Sequence, residues 1–158
     1  MKPFFTLLFC VVLAACVVAA RADDPSGVLE FKARDAKIGG DGMAAYESGA
    51  DHDNIGLWRT TNATAAWKFD LPQRGTFRIF VVYSCGDDAK GTAFDVTVGG
   101  QRANGVTAST GNWMNYVELD LGPVILRKTG PQELVVRPTH INRMFALNVR
   151  AVRLVPEK

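Results

Sequence analysis

The sequence predicts an all-β fold, a jelly-roll β-sandwich of two antiparallel sheets, on three observations. Apolar residues recur with period two or in short unbroken runs, glycine, asparagine and proline cut those runs at even spacing, and no segment carries a helical stripe. Strand-like segments fall near 28–36, 43–47, 55–58, 65–71, 76–84, 93–98, 116–121, 124–126, 133–137 and 145–155.

Each segment has its own signal. Tyr46 ends the 43–47 segment just before a Ser48-Gly49 turn, which exposes its ring edge. Trp67 alternates with Ala65 and Phe69 inside a strand and reads as core. Phe77, Ile79, Val81 and Tyr83 alternate with Arg78, Phe80 and Val82, so this strand is apolar on nearly both sides and is expected to be covered on both. Gly99-Gly100 reads as a two-residue hairpin turn, since both residues can take the positive φ such turns need. Pro72 with Gly75, and Gly130 with Pro131, mark further turns. No linker, repeat or low-complexity tract divides the chain.

The first 22 residues stand apart. Lys2 precedes an apolar run at 4–20, too short for a spanning helix, and Ala20-Arg21-Ala22 places small residues where a signal peptidase reads. The expectation is a secretory signal peptide at 1–22 and one domain at 23–158, secreted or periplasmic. The alternative is a lipoprotein: Leu13-Ala14-Ala15-Cys16 resembles a lipobox and would anchor the chain through Cys16, although Val17 and Val18 are unlike a polar tether.

Charge excludes some partners. Discounting Lys2 and Arg21 with the leader leaves 16 acidic residues against an equal number of basic ones, so neither nucleic acid nor an anionic membrane is expected as a partner. The basic residues gather in the last third, where Arg127, Lys128, Arg137, Arg143, Arg150, Arg153 and Lys158 face only Glu133 and Glu157, a bias that suits an anionic ligand. Cys85 is the one cysteine beyond the leader, so stability must come from burial rather than an internal disulfide.

Catalytic patterns are missing. His52 and His140 lie far apart without the close partners of a zinc site, and no serine elbow, phosphate loop or Cys-x-x-Cys pair occurs. The polar run Asp51-His52-Asp53-Asn54 lacks the spacing and glutamate of a calcium loop and reads as a solvated loop, as does Asp87-Asp88. No cofactor is expected, and the chain is not expected to be an enzyme.

Ser109-Thr110-Gly111-Asn112-Trp113 is different. It sets an indole just after a glycine turn between two strands, and such a ring either stacks on the apolar face of a sugar or packs beneath a loop. The polar neighbours Asn112 and Asn115 favour the ligand platform. Trp58, at a strand end beside Arg59-Thr60-Thr61-Asn62, suits either core or site. The loop Thr139-His140-Ile141-Asn142-Arg143 offers planar donors and acceptors, the groups that bind sugar hydroxyls.

On these residues the chain resembles family 6 and family 35 carbohydrate-binding modules. The order Ala33, Asp35-Ala36, Gly39, Tyr46-Glu47, Ile55-Gly56, Trp58, Trp67, Gly75, Thr110-Gly111, Trp113 and then 147–156 follows theirs, and Cys85-Gly86 is similar to a pair in small modules appended to secreted bacterial sulfatases and fucosidases. The resemblance implies a galactose-binding-like jelly roll with a sugar site in the loops at one end. It implies Trp113 and Tyr46 as a facing aromatic pair and Asn142 as the asparagine of the last loop; Asn112, Trp58, His140 and Arg143 join them as candidates from their loop positions. The partner expected is a polysaccharide or glycoconjugate, the basic last third leaving room for a sulfated or uronic glycan, and the module is expected to work alone or beside a separate secreted enzyme.

One departure carries a prediction. The positions where those families hold a structural calcium are occupied here by Lys32, Arg34 and Arg150, whose charge repels a cation, so no metal is expected there. Glu30 and Asp35 are instead expected as ion-pair partners between the first and last strands. Two other readings stay open: a cell-envelope structural or protein-interaction module using the same end loops, and, weakest, a small glycan hydrolase.

Overall fold

A computed structural model describes residues 26–49 and 51–157. The signal peptide at 1–22 and the lipobox ending at Cys16 lie outside the described residues.

Eleven strands follow in order: β1 (Leu29–Lys32), a 3-10 turn (Ala33–Asp35), β2 (Lys37–Gly39), β3 (Ala45–Ser48), β4 (Asp53–Gly56), β5 (Thr64–Leu71), β6 (Gly75–Ser84), β7 (Ala93–Val98), β8 (Gln101–Val106), β9 (Val117–Leu126), β10 (Gly130–His140) and β11 (Asn148–Pro156). They form two antiparallel sheets, one ordered β3-β4-β11-β6-β9 with β1 also on β11, the other β2-β5-β10-β7-β8. Between them Ile79, Val81, Val152 and Leu154 of the first sheet meet Trp67, Phe69, Val96, Leu134 and Val136 of the second, all buried. The period-two pattern thus turns one side of each strand into core.

The Gly99-Gly100 turn forms as expected, with φ of 58° and 75°, and closes β7 onto β8. β2 and β8 are strands that the sequence pattern does not announce: β2 is three residues long, and β8 (Gln101-Arg102-Ala103-Asn104-Gly105-Val106) carries few apolar residues. The segments at 116–121 and 124–126 join into one strand, β9, whose register shift against β6 lies between Arg78 and Phe80. The 55–58 segment stops at Gly56 because Leu57 turns left-handed, at φ 57°.

β6 is covered on one side only. Phe77, Ile79, Val81 and Tyr83 are buried, whereas Arg78, Phe80 and Val82 are half-buried on the outer surface, where Arg78 bridges Asp120 and Glu157, and Arg153 bridges Glu118. Charged side chains with long apolar stems do there what a second protein layer was expected to do.

β11 occupies the centre of its sheet. One edge pairs with β6; the other is shared, Val149 pairing with Ile55 of β4 and Ala151 to Leu154 pairing with β1. Arg150 falls at the handover, in a bulge between Val149, opposite Tyr83, and Ala151, opposite Val82. Such an extra residue leaves the ladder and re-aims its side chain.

Candidate functional site

Because successive strands run antiparallel, alternate connections gather at alternate ends. The loops at 40–44, 57–63, 85–92, 107–116 and 141–147 share one end and are stitched together: Arg59 N donates to Met43 O (3.0 Å), Ala146 N to Trp58 O (3.1 Å), Thr110 N to Cys85 O (2.9 Å) and Gly91 N to Thr107 O (2.8 Å).

Trp113 stands in this end, half-buried against the core. Its carbonyl accepts from Ser84 Oγ (2.7 Å) and Asn148 Nδ2 (3.1 Å), which anchors the turn to the ends of β6 and β11. Asn112 Oδ1 accepts from Met114 N (2.8 Å), and Asn115 Nδ2 donates to Thr110 O (2.6 Å), so amides on both sides of the indole are spent on shaping the turn. The indole lies over Gly86: a Cβ there would stand 2.7 Å from Trp113 Nε1 and 2.7 Å from Asp88 Oδ1. A carboxylate and an indole N–H therefore converge above a residue without a side chain. Asp87 is held close by, accepting from Ser109 Oγ (2.5 Å). Sequence reasoning placed Asp87 and Asp88 in a solvated loop; both are exposed, and contact with Trp113 through Gly86 has no signature in the linear pattern.

The other expected site residues divide. Trp58 is a core residue, 0% exposed, with its indole N–H donating to Ile55 O (2.9 Å); a ligand cannot reach it. Asn142 is exposed at the Trp113 end, but its amide donates to Lys90 O (2.8 Å) and fastens the last loop to the β6–β7 loop. Arg143 follows it and is exposed, as is His140 at the end of β10. Four more exposed apolar side chains belong to the same set of loops: Met43, Leu57, Met114 and Met144, the last 68% exposed.

Tyr46 is 41% exposed, yet it does not join Trp113. Its hydroxyl donates to Asp53 Oδ1 (3.0 Å), and its ring lines a separate recess of about 500 Å³ with Arg34, Gly49, His52, Asp53 and Arg150. Gly49 and His52 belong to the β3–β4 turn, and Trp113 is not among the residues that line this recess.

That recess contains two of the three cations read from the sequence. Arg34 pairs with Asp53 Oδ2, and Lys32 pairs with Glu30 at 3.6 Å on its own strand. The expected tie between first and last strands through Glu30 and Asp35 is thus not what forms; Glu30 is used within β1, and Arg34 reaches β4 instead. Burial pushes the Asp53 carboxyl up, but hydrogen bonds from Arg34 and Tyr46 and the charges of Arg34 and Arg150 outweigh it and hold the group below the ordinary carboxylate range. The same bond to Asp53 pushes the Tyr46 phenol up. Arg150 lays its guanidinium 3.5 Å over the Tyr116 ring, and its Nη2 donates to Asp51 O (3.2 Å). Tyr116 in turn donates to Asn54 Oδ1 (2.8 Å), and Asn54 Nδ2 to Glu47 Oε2 (2.8 Å). The run 51–54 is therefore split between two faces rather than gathered round one ion. Among the described residues no three His, Cys, Asp or Glu side chains cluster as metal ligands.

The larger recess, about 1010 Å³, lies at the far end beside the Gly99-Gly100 turn, lined by Lys68, Asp70, Gln101, Arg127, Lys128 and Glu133 among others. No described helix is long and apolar enough to cross a membrane.

No protein-family model and no curated protein matches the chain. Solved structures do. A family 35 carbohydrate binding module from Clostridium thermocellum superposes with a TM-score of 0.65 at 18% identity, over 82% of this chain and 98% of that one. The module CBM6cm-2 of Cellvibrio mixtus lichenase 5A, solved with cellotriose, gives 0.64 at 14% identity, over 82% and 97%. The GH26-CBM35 mannanase of Podospora anserina gives 0.64 at 11% identity, and there the match covers 84% of this chain but only 28% of the enzyme. At these identities the likeness speaks for architecture: the chain has the two-sheet jelly-roll fold of family 35 and family 6 carbohydrate-binding modules.

Proposed function

We propose that this chain is a non-catalytic carbohydrate-binding module that holds a sugar at the Trp113 end. The observation that carries the reading is the indole above Gly86, with Asp88 Oδ1 over the same glycine and Asp87, Asn142 and Arg143 in the adjoining loops. An aromatic face meets the C–H side of a sugar ring, and carboxylates and guanidinium meet its hydroxyls. Matches that span nearly the whole length of two carbohydrate-binding modules support a binding role rather than a catalytic one. The 1–22 leader supports export, either free or anchored through Cys16, and the resemblance to modules beside sulfatases and fucosidases supports a separate secreted enzyme as working partner.

A glycan array probed with the chain from residue 23 at two salt concentrations tests this. Expected is binding to a defined polysaccharide class, weakened about tenfold or more by Trp113→Ala, the scale of an aromatic anchor. Unchanged binding by that variant removes the platform.

A second reading has its own observation. Met43, Leu57, Met114 and Met144 are exposed in the same loops, and thioethers suit an adaptable protein contact. Capture of a protein partner that survives Trp113→Ala but is lost on changing Met144 and Leu57 to serine would favour it.

A further inference from the structure

We infer that the recess between the β3–β4 turn and the β11 bulge is an oxyanion site anchored by Arg150. The inference is independent of the sugar reading, since Trp113 is not in the lining.

The charges in the recess are unequal. Asp53 is already committed, one carboxylate oxygen to Arg34 and the other to the Tyr46 hydroxyl, so the pair Arg34–Asp53 is neutral as a unit. Arg150 then contributes a positive charge with no carboxylate at ion-pair distance among the described residues. His52 lines the same wall.

Arg150 is also held in place before any ligand arrives. The bulge takes it out of the β11 ladder, the Tyr116 ring supports its guanidinium face at 3.5 Å, and Asp51 O takes one of its N–H groups. Tyr116 is itself pinned by its bond to Asn54, which is fully buried. A stacked, backbone-tethered guanidinium without an acid partner is a preorganised fork for the oxygens of a carboxylate or sulfate. Two lining nitrogens, Arg150 Nε and His52 Nδ1, are shielded from solvent and have no hydrogen-bond partner. An oxyanion supplies an acceptor for the guanidinium N–H, and for the His52 nitrogen in the tautomer that carries its proton there, whereas a cation or a neutral apolar group does not. The shared chemistry is a compact oxyanion, carried as a free ion or as the sulfate ester or uronate of a glycan.

Two-dimensional NMR of the chain from residue 23, titrated with sodium sulfate, sodium glucuronate and glucose at ionic strength held constant with sodium chloride, tests this. Expected are saturable shifts of the Arg150 Nε–H signal and of the Gly49, Asp51 and His52 amides with sulfate, glucuronate or both, and none with glucose. Sulfate alone points to a sulfate ester or free ion, glucuronate alone to a uronate. Arg150→Gln should weaken that response at least about tenfold, the loss of a charge-assisted fork, while Trp113→Ala leaves it unchanged. If the glutamine variant does not fold, Arg150→Lys keeps the charge without the stacking fork and should weaken the response several-fold. Shifts that rise without saturation in every salt, or that persist undiminished in the folded Arg150 variants, overturn the site.

Discussion

Gly86 and Trp113 are a matched pair: the absent side chain of one is the seat of the other's indole, with 2.7 Å between Nε1 and the point where a Cβ would stand. Gly86→Ala must therefore push the indole outward or bend the turn that Ser84 and Asn148 anchor. The expected result is a destabilisation of about 1–3 kcal/mol, the usual cost of overpacking. Sugar binding should fall together with it, read by urea unfolding and by titration of indole fluorescence.

The two tryptophans nearest the loops should part company. Trp58→Ala empties a fully buried site and removes a donor to Ile55 O, and is expected to cost about 3–5 kcal/mol. Trp113→Ala removes a half-buried ring and should cost about 1–2 kcal/mol. Equal losses in urea midpoint would contradict the burial difference.

Acid should loosen the β3–β4 edge in a defined direction. The Asp53 carboxyl titrates below its ordinary value of 3.8, so its contribution is complete above that pH and is lost as pH falls through the lower folded value. Asp120, held low chiefly by the hydrogen bond from Arg78, behaves alike on the outer face of β6. Asp53→Asn should lower the unfolding midpoint near neutrality and leave it unchanged at a pH below both values, so the two stability profiles should converge in acid.

Cys85 should be inert in the folded protein. Burial pushes its thiol up, with Asp87 and Asp88 adding to that against a lowering contribution from Thr107, so at neutral pH the reactive thiolate is scarce. A thiol reagent is expected to label it only at the rate of unfolding, and labelling as fast as a free thiol would show that the 85–92 loop opens on its own.

Much of the fold is legible in the sequence because the core is written in alternation. Trp67 between Ala65 and Phe69, and the Gly99-Gly100 turn, each carry their outcome locally. What is not local is not legible. β8 earns its place by pairing with β7 rather than by apolar content, and Leu57 ends β4 through a left-handed conformation that its own residue type disfavours. The site divides the same way. Trp113 after a glycine turn is a local signal, whereas Asp88 reaches it only through folding, and Tyr46 is drawn to Asp53 seven residues on. The recess of Arg34, His52 and Arg150 joins residues from the first, fourth and last strands' surroundings, and the bulge that aims Arg150 is a register event between β11 and β6.

The central position of β11 governs how the chain must fold. β1 and the β3–β4 hairpin reach the rest of their sheet only through residues 148–156, so while a ribosome is still making the chain, Leu29 and Phe31 have no ladder to join and Ile55 pairs only with Tyr46. Most of the strand pairing is long-range, the β3–β4 and β7–β8 hairpins apart, and closure waits for the last strand to be threaded between β6 and the two early ones. Until then the half-made sandwich presents open apolar edges, the surface through which partly folded chains associate.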